Sequence, residues 1–194
     1  MSHHTDVARL HAQSVELFLD RVRSVPDGAW TGTSPCPSWD VRELVNHVVG
    51  EDRWTPPMMA GQMIADIGDR LDGDLLGELP VQAAEEAGKA AVAAFGEPGA
   101  VDRTVHLSFG DTPAAEYAWQ LTADHLVHGW DLAVATGGDR TLDPELVTAV
   151  LAWFAPMEEL YRGAGAVADR PGVTTASTQD ELLVAFGRNP SWTP

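Results

Sequence analysis

From Val7 onward, apolar residues return every three or four positions along nearly the whole chain, the period of helices that turn one face to a core. Val7, Leu10, Leu17, Phe18, Val22 and Val25 define a first helix, closed by the turn Pro26-Asp27-Gly28. Asp40 and Glu43 stand at capping-box spacing before Val41, Leu44, Val45, Val48 and Val49, so a second helix begins near Val41. Pro56-Pro57 predict a kink or restart in it, with helical character resuming from Met58 to Leu71. Pro80 opens a third, alanine-rich helix to Phe95, stopped by Gly96, Pro98 and Gly99. Thr112 as cap and Pro113 in the first turn open a fourth, which ends at Gly137-Gly138, and a fifth runs from Asp143-Pro144 to Arg162. Gly163 to Thr175 reads as loop, and Ser177 with Asp180 caps a last short helix, Glu181 to Phe186. Only Val105 to Phe109 alternates apolar and polar, a short extended arm closed by the turn Gly110-Asp111. One such strand makes no sheet, so the expected fold is all-α, helices bundled antiparallel with a crossover connection.

A chain of 194 residues can bury one substantial core, so residues 1–194 are expected to form a single domain. No run approaches the roughly 18 apolar residues of a membrane span. The start MSHHTDVARLH lacks a basic patch followed by an apolar stretch, so a cytoplasmic location is expected. With 29 acidic against 12 basic residues the formal charge is −17, which repels phosphate backbones and anionic headgroups; neither nucleic acid nor membrane is an expected partner. Cys36 is the sole cysteine, which excludes an internal disulfide and leaves any metal to histidine and carboxylate ligands.

Asp124 and His128 are four apart, so on a helix they lie about 40° from one another and can reach one ion together. Asp131 falls near the same line. Tyr117, Leu121 and Ala135 flank this stripe, and an inward carboxylate there must be protonated, hydrogen-bonded or bound to a cation. The pair is either an ordinary helical Asp–His contact or two ligands. His47, among Leu44, Val45, Val48 and Val49, is either a satisfied core histidine or a third ligand. Joined, two histidines and a carboxylate leave open positions on zinc or a similar ion, as catalytic sites require. His125, turned about 100° from Asp124, is the reserve ligand. His3, His4 and His11 belong near a terminus and His106 to the extended arm. Cys36 has no base or redox partner nearby in sequence, and Trp39, Trp54, Trp119, Trp130 and Trp153 can line a pocket or fill the core. Walker-type, dinucleotide, HExxH and GxSxG motifs are missing.

The stretches CPSWDVRELVNHVVGEDRW (Cys36 to Trp54), WQLTADHLVHGWDLAVATG (Trp119 to Gly137) and ELLVAFGRNPSW (Glu181 to Trp192) resemble the DinB-like metal-binding proteins of actinobacteria. They are more closely similar to the group related to the N-terminal domain of mycothiol-dependent maleylpyruvate isomerase. The resemblance implies a DinB-like four-helix bundle with additional helices. It also implies a metal site from one histidine on the second helix and a pair four apart on a later one, which here are His47, Asp124 and His128. In the isomerase the first member of the pair is glutamate and in many DinB-like proteins histidine, so Asp124 is a shorter arm. Zn²⁺ is the expected ion and Ni²⁺ the alternative. The isomerase's further C-terminal domain has no counterpart in these 194 residues, so isomerisation of maleylpyruvate is not expected.

The expected activity is that of a metal-dependent thiol S-transferase or isomerase-like enzyme, with mycothiol as co-substrate and a small electrophile as its partner. Asp131 would orient a metal-bound histidine from behind. The alternative is a non-catalytic metal-containing binding or stress-response protein, dimeric through an exposed helix face. A metal-free network of His47, Asp124 and His128 is the third reading.

Overall fold

The computed structural model describes residues 3–194, with side chains from Asp6 onward. The long helices are α1 (His3–Arg23), α2 (Val41–Met59), α4 (Pro80–Phe95) and α5 (Ala114–Thr136), with a short α3 (Ile64–Ile67) after α2. They close a four-membered ring: α1 packs on α5 and α4, and α2 packs on α4 and α5. Outside it, α6 (Pro144–Phe154) and α8 (Thr178–Ala185) pack on each other, and α6 packs on α5; α7 (Glu158–Gly163) follows α6. The fold is mostly α-helical, as expected, with one small hairpin. No described helix is long and apolar enough to cross a membrane.

The apolar stripe of α2 explains its place. Val41, Leu44, Val45, Val48 and Val49 are all fully buried, each contributing about 1.5–3 kcal/mol relative to exposure. The expected capping box starts the helix: Asp40 Oδ1 accepts from Glu43 N at 2.8 Å and Glu43 Oε2 from Asp40 N at 2.9 Å. Two glycines let helices approach α1. A Cβ at Gly88 of α4 would stand 2.8 Å from Val15 Cγ1, and one at Gly129 of α5 would stand 2.7 Å from Leu17 Cδ2.

Several expectations are corrected. Pro56 and Pro57 do not restart α2, which runs through them and ends two residues later at Met59; each removes an i→i−4 hydrogen bond from the last turn. Helix does not resume over Met58 to Leu71 beyond the four residues of α3, because Gly61 and Gly68 adopt positive φ. The extended arm is not alone: β1 (Thr104–Leu107) pairs antiparallel with β2 (Gly110–Pro113). Thr112 therefore belongs to a strand rather than capping α5. The fifth predicted helix is broken near Pro156 into α6, a 3₁₀ turn and α7, since proline cannot donate within a helix. Ser177 does cap the last helix, which starts at Thr178 rather than Glu181.

Candidate metal centre

α2 and α5 pack side by side, and His47 from one meets Asp124 and His128 from the other. One ligand atom from each lies within 4.8 Å of the other two. His47 Nε2 is 3.2 Å from Asp124 Oδ2, and His128 Nε2 is 3.3 Å from Asp124 Oδ1. Yet Asp124 Oδ2 is a buried oxygen with no aligned hydrogen bond among the described residues. A carboxylate whose oxygens face imidazole nitrogens without accepting from both suits ligands gathered round a shared cation, and the N₂O donor set suits zinc or nickel.

His128 is held from behind. Its Nδ1 lies 2.9 Å from Asp131 Oδ2, and because an ionised carboxylate only accepts, Nδ1 carries the proton and Nε2 is aimed at Asp124. Asp131 is in turn clamped by Arg188: Nε donates to Oδ1 and Oδ2 at 3.1 Å each, and Nη2 to Oδ2 at 2.8 Å. Arg188 comes from the turn after α8, where Gly187 takes φ +75°, and its Nη1 donates to the Phe186 carbonyl. Arg188 Nη2 also reaches Cys36 Sγ at 3.2 Å, with Sγ 3.5 Å from Asp131 Oδ2 and 4.0 Å from His128 Nδ1. On the other side, the Trp39 ring stacks on His47 at 4.6 Å and fixes its plane.

The charges follow from these contacts. Burial alone would raise the carboxyl of Asp124, but the facing His128 and His47 hold it well below the usual range. Burial disfavours the His128 imidazolium, yet Asp124, Asp131 and Cys36 together hold its pKa well above the ordinary value. Burial of Asp131 is outweighed by Arg188 and His128, which keep its carboxyl low. Glu51, one helical turn beyond His47, is raised by burial and by the charge of Asp124.

The structure thus brings together His47, Asp124 and His128, with Asp131 behind His128. It does not bring the reserve ligand His125 to them: the 100° turn carries it to Asp52, 3.1 Å away, on the inner side of α5. His11, expected near a terminus, is fully buried in α1. The side chains of His3 and His4 lie outside the described residues, and His106 pairs with Asp111 across the exposed hairpin at 2.7 Å. Among the tryptophans, Trp39 belongs to the site, whereas Trp130 is core and Trp119 stacks on Trp153. Sequence reasoning missed Arg188, which stands far from Asp131 along the chain, and Glu51, which the i, i+4 relation to His47 signals. Beside His47 and Trp39 opens a cleft of about 450 Å³ walled also by Arg42, Glu43, Asn46 and Asp74.

Residues 11–133 match the model of the mycothiol maleylpyruvate isomerase N-terminal domain. Two uncharacterized proteins of Mycobacterium tuberculosis, from strains CDC 1551 and H37Rv, are each 30% identical to the chain over 186 residues, covering 94% of it and 98% of the relative. No solved structure gives a significant match.

Proposed function

The chain belongs to the family of the mycothiol maleylpyruvate isomerase N-terminal domain, and from that premise we propose a divalent-metal protein that activates a low-molecular-weight thiol for transfer to an electrophile. His47, Asp124 and His128 are the ligands in this reading. The observation that carries it is Asp124 Oδ2, a buried oxygen set between imidazoles without a hydrogen bond of its own. Bound there, zinc, or nickel in its place, supplies positive charge that lowers the pKa of a thiol sulfur at an open position.

The chain's own residues do the rest. Arg188 keeps Asp131 ionised, Asp131 holds the His128 proton on Nδ1, and Trp39 holds the plane of His47. The cleft against His47 has the volume of a small-molecule site, roughly 300–1,000 Å³, and its polar walls suit a hydroxyl-rich thiol such as mycothiol. In the transfer, sulfur forms a bond to the electrophile's carbon, the leaving group departs with the pair of the bond that breaks, and the thiol proton passes to water. We place this chemistry in the cytoplasm, where low-molecular-weight thiols stay reduced.

Metal content by inductively coupled plasma mass spectrometry on untagged protein, beside His47→Ala and His128→Ala, tests the ligand set. Calorimetric titration of the metallated and stripped proteins with mycothiol tests the chemistry. Binding by the metallated form alone is expected; a fully metallated protein that binds no thiol and conjugates none to a model electrophile refutes the reading.

A further inference from the structure

On the inner side of α5, away from the cleft, three more side chains converge. His11 of α1, Asp52 of α2 and His125 of α5 are 0%, 2% and 0% exposed, and one ligand atom from each lies within 4.8 Å of the others. His125 Nδ1 lies 2.6 Å from the Leu121 carbonyl, which can only accept, so Nδ1 carries a proton and donates it. That fixes the ring and aims Nε2 at Asp52 Oδ1, 3.1 Å away, but the two are not aligned as a hydrogen bond. His11 packs edge-on against Phe95 and His125, with ring centroids at 4.9 and 5.5 Å, and neither of its nitrogens has a hydrogen-bond partner among the described residues.

Four polar atoms without a hydrogen-bond partner among the described residues, His11 Nδ1 and Nε2, Asp52 Oδ1 and His125 Nε2, therefore lie close together in the core. Buried polar atoms left unpaired are costly and rare enough to need a cause. An ion pair between Asp52 and His125 satisfies two of them and leaves His11 with none. A cation satisfies one atom on each of the three residues at once. The donation of Nδ1–H to a backbone carbonyl is also how a protein orients a histidine that ligates through Nε2.

We propose that His11, Asp52 and His125 form a second site for a divalent first-row cation, zinc by its donor set, which ties α1, α2 and α5 together. It is separate from the first. Asp124 and His125 are consecutive on α5 and so diverge by about 100°, while His47 and Asp52, five apart on α2, diverge by about 140°. Each helix thus supplies one ligand set outward to the cleft and another inward to the core. With no ligand more than 2% exposed, the inner ion enters as the chain folds and exchanges slowly, unlike one beside the cleft.

The test is metal content of untagged protein made in zinc-supplemented medium, before and after native dialysis against EDTA, with far-UV circular dichroism to confirm folding. Wild type is expected to hold two ions and to keep one after dialysis; His128→Ala to hold one, resistant to EDTA; Asp52→Asn to hold only the labile one. A folded His128→Ala protein without metal overturns the proposal, as does a resistant ion that Asp52→Asn retains. Should Asp52→Asn not fold, His128→Ala refolded with Co²⁺ replaces it: a visible absorption band of bound cobalt is expected, and a colourless folded protein overturns the assignment. Failure of the first site reads differently, as a wild type whose single ion His128→Ala leaves in place.

Discussion

Replacing Arg188 by methionine would remove the guanidinium from a carboxylate that has nowhere else to go. Asp131 is fully buried, and Arg188 makes three of its hydrogen bonds, leaving after the change only His128 Nδ1 and Cys36 Sγ within reach. Breaking a buried pair from one side costs about 3–5 kcal/mol, because it takes the guanidinium from a carboxylate that is out of reach of water and leaves only His128 and Cys36 to compensate it. For a chain of this size each kcal/mol moves the melting temperature by roughly 2–4 °C, so Arg188→Met is expected to melt roughly 6–20 °C below wild type at pH 7. The pH dependence has a definite sign. Arg188 and His128 lower the Asp131 carboxyl in the fold, so its stabilisation is complete above the ordinary carboxylate range and fades as pH falls. In the variant Asp131 gains proton affinity, so protonation relieves the stranded charge and the gap to wild type narrows toward pH 4. The double variant Arg188→Met/Asp131→Leu replaces the pair by apolar groups and should recover much of the loss. Thermal unfolding followed by circular dichroism in EDTA, at several pH values on all three proteins, measures each quantity. Equal melting temperatures for Arg188→Met and wild type at pH 7, or a double variant no better than the single, would refute the claim that Asp131 is held ionised by Arg188.

Other outcomes follow from the same geometry. With metal present, Asp131→Asn should weaken zinc affinity about 10–100-fold without abolishing binding, as competition titration with a chromophoric chelator would show. Cys36→Ala should leave metal stoichiometry unchanged, since Sγ sits on the Nδ1 side of His128 and not beside Nε2; mass spectrometry of metal content would expose a lost ion. Gly88→Ala should destabilise more than Gly129→Ala, within about 1–3 kcal/mol, because its Cβ meets the stiff Val15 at 2.8 Å whereas Leu17 can swing its Cδ2 aside; urea unfolding ranks the two. Glu158 is lowered to about 2 by its bonds to Arg170 and Arg162, so the melting deficit of Glu158→Gln should be full above about pH 5 and vanish as pH falls toward 2; a deficit independent of pH would contradict it.

The order of the helices, the capping box at Asp40 and Glu43, and the stripe of α2 were legible in the residues, because periodicity and capping act within a turn or two of chain. The Asp124–His128 spacing was legible for the same reason. Two of the errors show why the rest was not: Pro156, which was not weighed, splits a long apolar pattern, and residues 110–113, read as a turn and a helix start, give β1 its partner strand. The sequence alone thus determined a helical chain, a family and three candidate ligands. Tertiary structure decided the rest, since it depends on contacts between residues far apart in sequence. Tertiary packing brings Arg188, from the turn after α8, and Cys36 to Asp131, buries His11 with Asp52 and His125, and turns neighbours on α5 toward different ends: a helix displays its residues all round, and only its packing partners determine which faces meet.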